Sequence, residues 1–395
     1  MKICMFGSEL ISYENTIIGG ATNAALNLSK VLTKNGHKVY IVTSKSTGFT
    51  LDISAEKTKW GELILLDAKT RNLNLISGGN LAIQSVHSLI STIKKKEIDI
   101  IHSHSGFSAL AIFSLISGKL TEIPILHSLY CPLSSYESTE IERIFSKSFF
   151  SRLILNKLDY IFAMSKNVEN SLIENNIQSP FSILRPIIDY KRFKPNNNPP
   201  KNISIKPDSF TILFVGNYHP SKGLEYLIEA AGEIAKSINI QLILCTTKQI
   251  DDFPNHKERE DFIKDLIKKE NLSSKIVSLG LISNMPNLIS NVDVVVVPFT
   301  STEGPSDYPI IILEAFASCT PVIGTDVGGI KELLKNEKGF IFKSKDVISL
   351  CEKLKEVYEL KDVPCKMKKN RDFIKEEFSE EIIYKKVMSI YRKML

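Results

Sequence analysis

The chain of 395 residues lacks the features that would mark it as a membrane-spanning, secreted or nucleic-acid-binding protein. No stretch approaches the roughly 20 apolar residues that a membrane-spanning helix needs, and long runs such as Val292–Phe299 have the length of a strand. The first residues are predicted to form a strand, and no signal-peptide cleavage pattern follows them. The formal net charge of +6 is too small to indicate a nucleic-acid partner. These absences predict a soluble, cytoplasmic protein.

Cysteine motifs and several common catalytic motifs are also absent. The six cysteines have no CxxC spacing, which favours reduced, mostly buried thiols over a disulfide or zinc framework. No GxGxxG follows the first strand of either half, and the chain has no GxxxxGK[ST], HExxH or GxSxG motif. Nicotinamide hydride transfer, P-loop ATP hydrolysis and serine-esterase chemistry are therefore disfavoured.

Short apolar runs alternate with amphipathic stretches along the chain, a pattern typical of parallel α/β sheets. The pattern restarts after a polar, proline-rich stretch at Lys194–Asp208. Because the length exceeds what one hydrophobic core usually serves, we expect two domains. The predicted fold class is α/β, with two tandem Rossmann-like, doubly wound parallel-sheet domains that face a cleft. The predicted strands are Lys2–Phe6, Val39–Thr43, Ile98–His102, Ile123–Leu126, Tyr160–Met164, Thr211–Val215, Gln241–Cys245, Ile276–Leu279, Val292–Pro298 and Pro321–Gly324.

The expected domain bounds follow from this pattern. An N-terminal domain is predicted at residues 1–194, a linker at 195–208 and a C-terminal domain at 209–378. A helix at 379–395 is expected to pack back on the first domain.

Three segments carry residues suited to an anionic, hydroxyl-rich ligand. Gly19 and Gly20 precede a helix, where bare backbone N–H groups can approach a phosphate; a flexible turn is the alternative. Lys222 stands between a strand and a helix, where its ammonium would neutralise a diphosphate; a solvated turn lysine is the alternative. Glu314 is the one carboxylate in an apolar segment, and it needs a partner. Two ribose hydroxyls would satisfy it, and a structural arginine is the alternative.

Taken together, these motifs resemble the retaining glycosyltransferases of family 4, which have the GT-B fold, and the similarity covers essentially the whole chain. Its strongest part is EGPSDYPIIILEAFASCTPVIGTDVGG, which is similar to the family pattern EGxPxxxxEAxAxGxPVIaTdvGG. The segments that carry the resemblance are Gly19–Gly20, Asn35–Val39, Asp99–His104, Arg185–Pro195 and Glu303–Gly329.

The resemblance implies a nucleotide-sugar donor site in the second domain and an acceptor site in the first. Lys222 would bind the donor phosphates, and Glu314 would bind the ribose hydroxyls. The backbone of Ile310 and Ile311 would meet the phosphates at the start of a helix. The further donor-binding positions that it implies are Gly19, Gly20, Gly216, Asn217, Gly280, Leu281 and Ser306.

The chain departs from the family pattern at three positions. Asn217 replaces the usual arginine, which leaves one fixed charge fewer on the diphosphate. Ser306 replaces the first member of the family's glutamate pair, and Asp307 or Glu303 is expected to substitute for it. Tyr130 stands where the family has a cleft histidine. His104 or His127 is expected to take that place, with a structural role for either as the alternative. The catalytic candidates are His104, His127, Lys222 and Asp307.

The implied activity is transfer of a sugar, with retention, from a nucleotide-diphosphate sugar to a hydroxyl of a glycan or lipid-linked acceptor. Cell-surface polysaccharide or glycolipid biosynthesis is the expected setting. Because the leaving phosphate would help to deprotonate the acceptor, no protein nucleophile is expected. No metal or other cofactor is expected either, because Lys222 and helix dipoles would supply the positive field. The alternatives are a nucleotide-sugar 2-epimerase of the same fold and a catalytically silent paralogue that binds nucleotide sugars.

One segment also suggests contact with a lipid surface. Ile141–Leu158 interleaves four cations with large apolar residues, a pattern typical of a helix that lies on anionic lipid. Packing of its apolar side against the sheet is the alternative. Peripheral contact with the inner face of the cell membrane is therefore a further expectation.

Overall fold

The computed structural model of the protein forms two units. Unit 1 comprises Met1–Ile187, Glu303–Tyr308 and Glu380–Leu395, and unit 2 comprises Ile188–Thr302 and Pro309–Ser379. The structure describes residues 1–7, 20–45, 57–58, 60–69, 75–106, 111–133, 148–196, 198, 200, 203–246, 255–280, 282, 284–302, 306–360 and 363–395.

Unit 1 contains an eight-stranded sheet in the order β3-β4-β2-β1-β5-β6-β7-β8. All neighbouring strands are parallel except β3 and β4, which pair antiparallel. The strands are β1 (Lys2–Gly7), β2 (Lys38–Lys45), β3 (Lys57–Thr58), β4 (Gly61–Lys69), β5 (Ile100–Ser105), β6 (Ile125–Leu129), β7 (Tyr160–Ala163) and β8 (Phe181–Ile183).

Helices cover both faces of this sheet, because successive side chains of each strand point to opposite faces. Ile3 and Met5 pack with α1 and α13, whereas Cys4 and Phe6 pack with α2. Farther along the sheet, Ile161 packs with α3, α4 and α5. The helices are α1 (Gly20–Lys34), α2 (Leu75–Lys96), α3 (Ala111–Thr121), α4 (Ser148–Leu155), α5 (Lys166–Glu174) and, from the end of the chain, α13 (Glu380–Met394).

Unit 2 contains a six-stranded parallel sheet in the order β11-β10-β9-β12-β13-β14. In the order of the unit's own strands this is 3-2-1-4-5-6, the order of a dinucleotide-binding sheet. Its strands are β9 (Phe210–Gly216), β10 (Ile240–Thr246), β11 (Ile276–Leu279), β12 (Val294–Val297), β13 (Val322–Thr325) and β14 (Phe340–Phe342). Its helices are α6 (Leu224–Ile234), α7 (His256–Lys269), α8 (Met285–Ile289), α9 (Ile310–Ala317), α10 (Gly328–Leu334), α11 (Val347–Tyr358) and α12 (Val363–Glu377).

The predicted fold class is confirmed: both units are α/β with doubly wound parallel sheets. Four strands escaped the sequence prediction, namely β3, β4, β8 and β14. Both β8 and β14 have only three residues, too few to show a hydrophobic period. The break between the units falls after Ile187, ahead of the stretch expected to be the linker.

Two further expectations concern the cysteines and the membrane. The five cysteines whose side chains the structure describes are all free thiols. Among the described helices, none is both long enough and apolar enough to cross a bilayer.

Candidate active site

The turn after β9 in unit 2 places Lys222 at the carboxyl end of the sheet. Pro220–Lys222 forms one turn of 3-10 helix, and Gly223 follows in the left-handed conformation with φ of +61°. A Cβ on Gly223 would lie 1.9 Å from the carbonyl oxygen of Pro298, so only glycine allows this close approach. The N–H of Thr300 donates to the Ser221 carbonyl at 2.9 Å. The turn is therefore fixed against the segment that follows β12.

The ammonium of Lys222 lies over an aromatic ring. Its Nζ is 4.1 Å from the ring centroid of Phe299, a cation–π geometry. Beside it, burial and the positive charge of Lys222 lower the pKa of His219, whose Nδ1 lies 2.7 Å from the Ser221 hydroxyl. A positive charge is thus held at the end of the sheet where ligands of such folds bind.

The neighbouring donor-site candidates have different surroundings. The Asn217 side chain accepts a hydrogen bond from the His219 N–H at 3.2 Å and thereby stabilises the turn to which it belongs. Gly216 ends β9, where a Cβ would collide with the ring of Phe214. A Cβ on Gly280 would meet nothing within 4 Å, which leaves open space above the end of β11. Gly20 opens α1 in unit 1. Gly19, Leu281 and Glu303 lie outside the described residues.

Helix α9 begins with backbone N–H groups that no side chain caps. Its N-cap residue is Pro309. The first backbone N–H groups of an α-helix have no partner within the helix, and they attract anions. Ile310 and Ile311, the predicted phosphate contacts, are the first two residues of α9.

Glu314 stands on the same helix with its carboxylate half-buried. No described residue donates a hydrogen bond to that carboxylate. Burial raises the pKa of Glu314 to about 8, although the positive charge of Arg192 acts in the opposite direction. The oxygens of this carboxyl group are therefore available to accept hydrogen bonds from the hydroxyl groups of a ligand.

In unit 1, the two histidine candidates lie in the interior of the sheet. His104 Nδ1 is 2.8 Å from the Tyr130 hydroxyl, and His127 Nδ1 is 2.7 Å from the Ser103 hydroxyl. Both imidazoles are at most 2% exposed. Burial, together with the charge of His127, lowers the pKa of His104 well below its usual value, so this imidazole is neutral at pH 7.

A third histidine, His102, belongs to the same buried group and was not predicted. Its Nδ1 is 2.6 Å from the Tyr391 hydroxyl and its Nε2 is 2.7 Å from the Ser128 hydroxyl. The rings of His102 and His104 are 4.0 Å apart between centroids. The sequence signal was present in the HSH pattern of β5, whose alternation places both rings on one face of the sheet.

Ser306 and Asp307 belong to unit 1, although they lie far along the chain. The Asp307 carboxylate is fully buried and accepts hydrogen bonds from the Ser165 hydroxyl at 2.6 Å and from the Asn167 amide at 3.0 Å. The Asp307 N–H donates to the Tyr130 carbonyl at 2.8 Å. The Ser306 hydroxyl donates to the carbonyl of Tyr308 at 2.9 Å. Both carboxylate oxygens of Asp307 are therefore engaged by the protein itself.

The structure thus divides the predicted site residues into two groups. Unit 2 brings together Lys222, Asn217 and Gly216 at one turn, with α9 following the neighbouring strand β12. Unit 1 holds His104, His127, Ser306 and Asp307. Phe299, Ser165 and Asn167 contact predicted site residues but were missed, because side-chain contacts between distant segments leave no local pattern. Within the described residues, no group of three or more His, Cys, Asp or Glu side chains is placed to hold a metal ion.

Comparisons with known proteins agree over most of the chain. The family described as glycosyl transferases group 1 matches residues 196–376, and the one described as Glycosyltransferase Family 4 matches residues 18–192. An uncharacterized glycosyltransferase of Methanocaldococcus jannaschii is 24% identical over 85% of this chain and 83% of its own length.

Two further proteins are similar in sequence or in fold. The UDP-Gal:alpha-D-GlcNAc-diphosphoundecaprenol alpha-1,3-galactosyltransferase of Escherichia coli is 25% identical over 82% of each chain. An Anabaena protein solved in complex with UDP and glucose superimposes with a TM-score of 0.76 at 15% identity, covering all of both chains.

Proposed function

The chain belongs to the group 1 glycosyltransferases of family 4 and has their GT-B fold, and we propose the following reaction for it. It transfers a sugar, with retention of configuration, from a nucleoside diphosphate sugar to a hydroxyl of a glycan or lipid-linked acceptor. Lys222 and α9 bind the diphosphate, and Glu314 binds the ribose.

The observation that carries this proposal is the carboxyl group of Glu314, which receives no hydrogen bond from the described residues. A half-buried carboxyl group without a hydrogen-bond donor is costly to the folded protein. A vicinal diol supplies two O–H donors, and the oxygens of a carboxyl group have lone pairs that accept them; bound donors would also favour its ionised form. The site thus fits a ribose. Arg192 is close enough for its charge to lower the pKa of Glu314, but no hydrogen bond joins the two side chains.

The positive groups nearby suit the diphosphate that leaves when the sugar is transferred. The Lys222 ammonium and the N-terminus of α9 both stabilise negative charge. Because these groups are fixed in place, they need no reorganisation as charge develops on the leaving phosphate. In the proposed reaction that phosphate accepts the proton of the attacking hydroxyl, which requires no protein nucleophile, and the positive charge of Lys222 and of the α9 N-terminus takes the place of a metal.

The class of donor and acceptor is drawn from the similar proteins. The Escherichia coli relative is named for a UDP-sugar donor and a diphosphoundecaprenol acceptor, and the Anabaena structure holds UDP. We therefore take a UDP-sugar as the first donor to test and a polyprenyl diphosphate sugar as the first acceptor.

A thermal-shift panel of UDP-, GDP- and ADP-sugars tests the donor site. A ligand present at 100 times its Kd stabilises the folded state by about 2.7 kcal/mol, so one member of the panel should raise the Tm clearly. Lys222→Ala should raise the Kd of that ligand about 10- to 100-fold, because a charge-assisted hydrogen bond contributes about 1.5–3 kcal/mol. Glu314→Gln should also raise this Kd.

The matched control is Lys269→Ala, which removes an exposed lysine of α7 in the same unit. Its Tm response should equal that of the parent protein. If Lys222→Ala and Glu314→Gln show the same Tm shift with nucleotide sugar as the parent protein, the assignment of the donor site is wrong.

Product analysis separates the proposed reaction from the two alternatives. Sugar linked to the acceptor, with an unchanged anomeric configuration by NMR, supports the transferase. Epimerised nucleotide sugar formed without acceptor would instead identify an epimerase. Donor binding without any turnover would identify a catalytically silent protein.

A further inference from the structure

Three neighbouring helices of unit 1 carry cations and no acidic residues. Helices α2, α3 and α4 contain no aspartate or glutamate at all. They carry five cations, which are Lys94, Lys95, Lys96, Lys119 and Arg152. Two other helices of the unit do contain acids, for example Glu169 in α5 and Glu380 in α13. Helix α1 also has no acidic residue, so this composition is shared by four helices of the unit.

The same three helices expose large apolar side chains. Of the twelve exposed large hydrophobic residues among the described part of the chain, six lie on them. These six, with their exposed fractions, are Ile83 (70%), Ile116 (41%), Leu120 (67%), Phe149 (65%), Phe150 (39%) and Leu153 (46%). Exposed apolar side chains concentrated in one region mark an interaction surface, whereas scattered ones are ordinary.

These exposed residues are not needed by the core. The inner sides of the helices already pack on the sheet through Leu89, Leu115 and Ile154, all buried. Of the segment Ile141–Leu158 singled out in the sequence, the described part contains α4, which buries Ile154 and Leu155 and leaves Phe149 and Leu153 outside. Packing on the sheet and an exposed apolar side therefore occur together.

The exposed residues lie on one surface. Helix α3 packs beside α2 and beside α4, and all three cover the same face of the sheet. Ile116 and Leu120 are four residues apart, as are Phe149 and Leu153, so each pair forms a ridge on its helix. We call this surface the α2–α4 face.

Cations accompany the apolar ridges. Lys96 pairs with Glu62 at 2.6 Å, and Lys119 lies 3.8 Å from Asp159. Lys94, Lys95 and Arg152 are exposed and form no ion pair with the described residues. Their charge is therefore available to an anionic surface.

We propose that the α2–α4 face docks on the surface of an anionic phospholipid bilayer. Phe, Leu and Ile side chains enter the boundary between headgroups and acyl chains, while lysine and arginine contact the lipid phosphates. The lack of carboxylates on these three helices suits this role, because an aspartate or glutamate would be repelled by the headgroups. This inference goes beyond the proposed reaction, since it depends on neither the donor nor the acceptor.

Vesicle flotation of the purified full-length chain tests the proposal. We expect binding to vesicles of phosphatidylcholine mixed with phosphatidylglycerol and little binding to phosphatidylcholine alone. Raising the salt concentration from about 0.1 M to about 1 M should release the protein, because the Debye length falls from about 10 Å to about 3 Å. Equal binding to both kinds of vesicle, or binding to neither, would overturn the proposal.

Two double variants test whether the α2–α4 face is the surface that binds the vesicles. Leu120→Ser with Phe149→Ser should weaken vesicle binding at least about 10-fold, because the apolar side chains that enter the lipid are lost. Lys95→Glu with Arg152→Glu should weaken it at least about 30-fold, since each cation near an anionic membrane contributes about 1 kcal/mol.

The matched controls lie in unit 2. Ile348→Ser removes a side chain that is 74% exposed, and Lys257→Glu with Lys269→Glu reverses two exposed cations of α7. Both controls should bind vesicles as the parent does. If they lose binding equally, or if the Leu120 and Phe149 variant changes the oligomeric state without changing vesicle binding, the proposal fails.

A second measurement keeps this test separate from the proposed reaction. All of these variants should retain the Tm of the parent and its Tm shift with nucleotide sugar, because the changed residues are exposed. Lipid binding and donor binding can then fail independently of each other.

Discussion

Two carboxylates of the candidate site were predicted on different grounds, Glu314 from its apolar neighbours and Asp307, or Glu303, from the family resemblance. Glu314 attracted attention as a lone carboxylate in an apolar helix, and it is indeed half-buried without a hydrogen-bond donor among the described residues. Asp307 was expected to contact the sugar, but its oxygens already accept hydrogen bonds from Ser165 and Asn167. Of these two carboxylates, Glu314 is the one that the protein leaves available to a ligand.

The raised pKa of Glu314 predicts a pH-dependent stability. The folded protein holds this proton up to about pH 8, whereas the unfolded chain loses it near pH 4.5. The folded state therefore binds more protons between these values, and its stability falls as the pH rises through this window. Glu314→Gln, which cannot ionise, should be more stable than the parent protein above about pH 5, by a margin that grows until about pH 8.

Thermal unfolding of both proteins at pH 5, 6.5 and 8 without ligand measures this margin. A margin that stays constant over the three values would show that the carboxyl group is not protonated in the folded protein.

At the scale of elements, the strand–turn–helix unit from β9 to α6 decides where Lys222 stands. The turn can approach the Pro298 carbonyl only because Gly223 has no side chain and adopts a positive φ. The sequence showed a lysine followed by a glycine, but it did not show which strand the turn would touch. That contact is set by the pairing of β9 with β12.

Gly223→Ala should therefore destabilise the protein and weaken nucleotide binding together. The left-handed conformation alone costs a residue with a Cβ about 1–2 kcal/mol, and the collision with Pro298 adds to this. Urea unfolding gives the loss of stability, and the Tm shift with nucleotide sugar reports the displacement of Lys222.

Gly280→Ala is the matched control for stability. Its Cβ would meet nothing within 4 Å, so its free energy of unfolding should stay within about 0.5 kcal/mol of the parent. Equal losses for the two variants would contradict the role assigned to Gly223.

At the scale of the whole molecule, the end of the chain completes the core that the beginning of the chain starts. Helix α13 contributes Val387 and Tyr391 to the cluster that contains Ile3 and Met5 of β1. Its Tyr391 hydroxyl lies 2.6 Å from His102 Nδ1 in the buried interior. Unit 1 therefore depends on residues nearly four hundred positions apart in sequence.

Tyr391→Phe tests how much the contact between the Tyr391 hydroxyl and His102 contributes to the free energy of unfolding. Removing the hydroxyl leaves the buried ring nitrogen of His102 without its partner, which should cost about 1–3 kcal/mol of unfolding free energy. Tyr384→Phe on the same helix is the control. Its hydroxyl lies 3.0 Å from His37 Nε2 in a half-buried place where water can replace it, so its cost should be smaller. Chemical denaturation compares the two, and an equal cost would argue against the buried pair.

The sequence by itself determined the alternation of strands and helices, and with it the α/β class of both units. Burial on both faces requires the continuous apolar runs of strands such as Val294–Val297, and these runs are visible without any structure. It also determined that Lys222 and Glu314 are unusual, because a glycine-flanked cation and a carboxylate among apolar neighbours are local patterns.

Only the tertiary structure decided which distant residues meet. The contacts of Lys222 with Phe299, of Asp307 with Ser165 and of His102 with Tyr391 join segments that are 77, 142 and 289 positions apart. The outward side of α2, α3 and α4 was likewise decided by the sheet, which buries one side of each helix and leaves the other exposed. Such contacts depend on strand order and helix packing, which are properties of the folded chain as a whole.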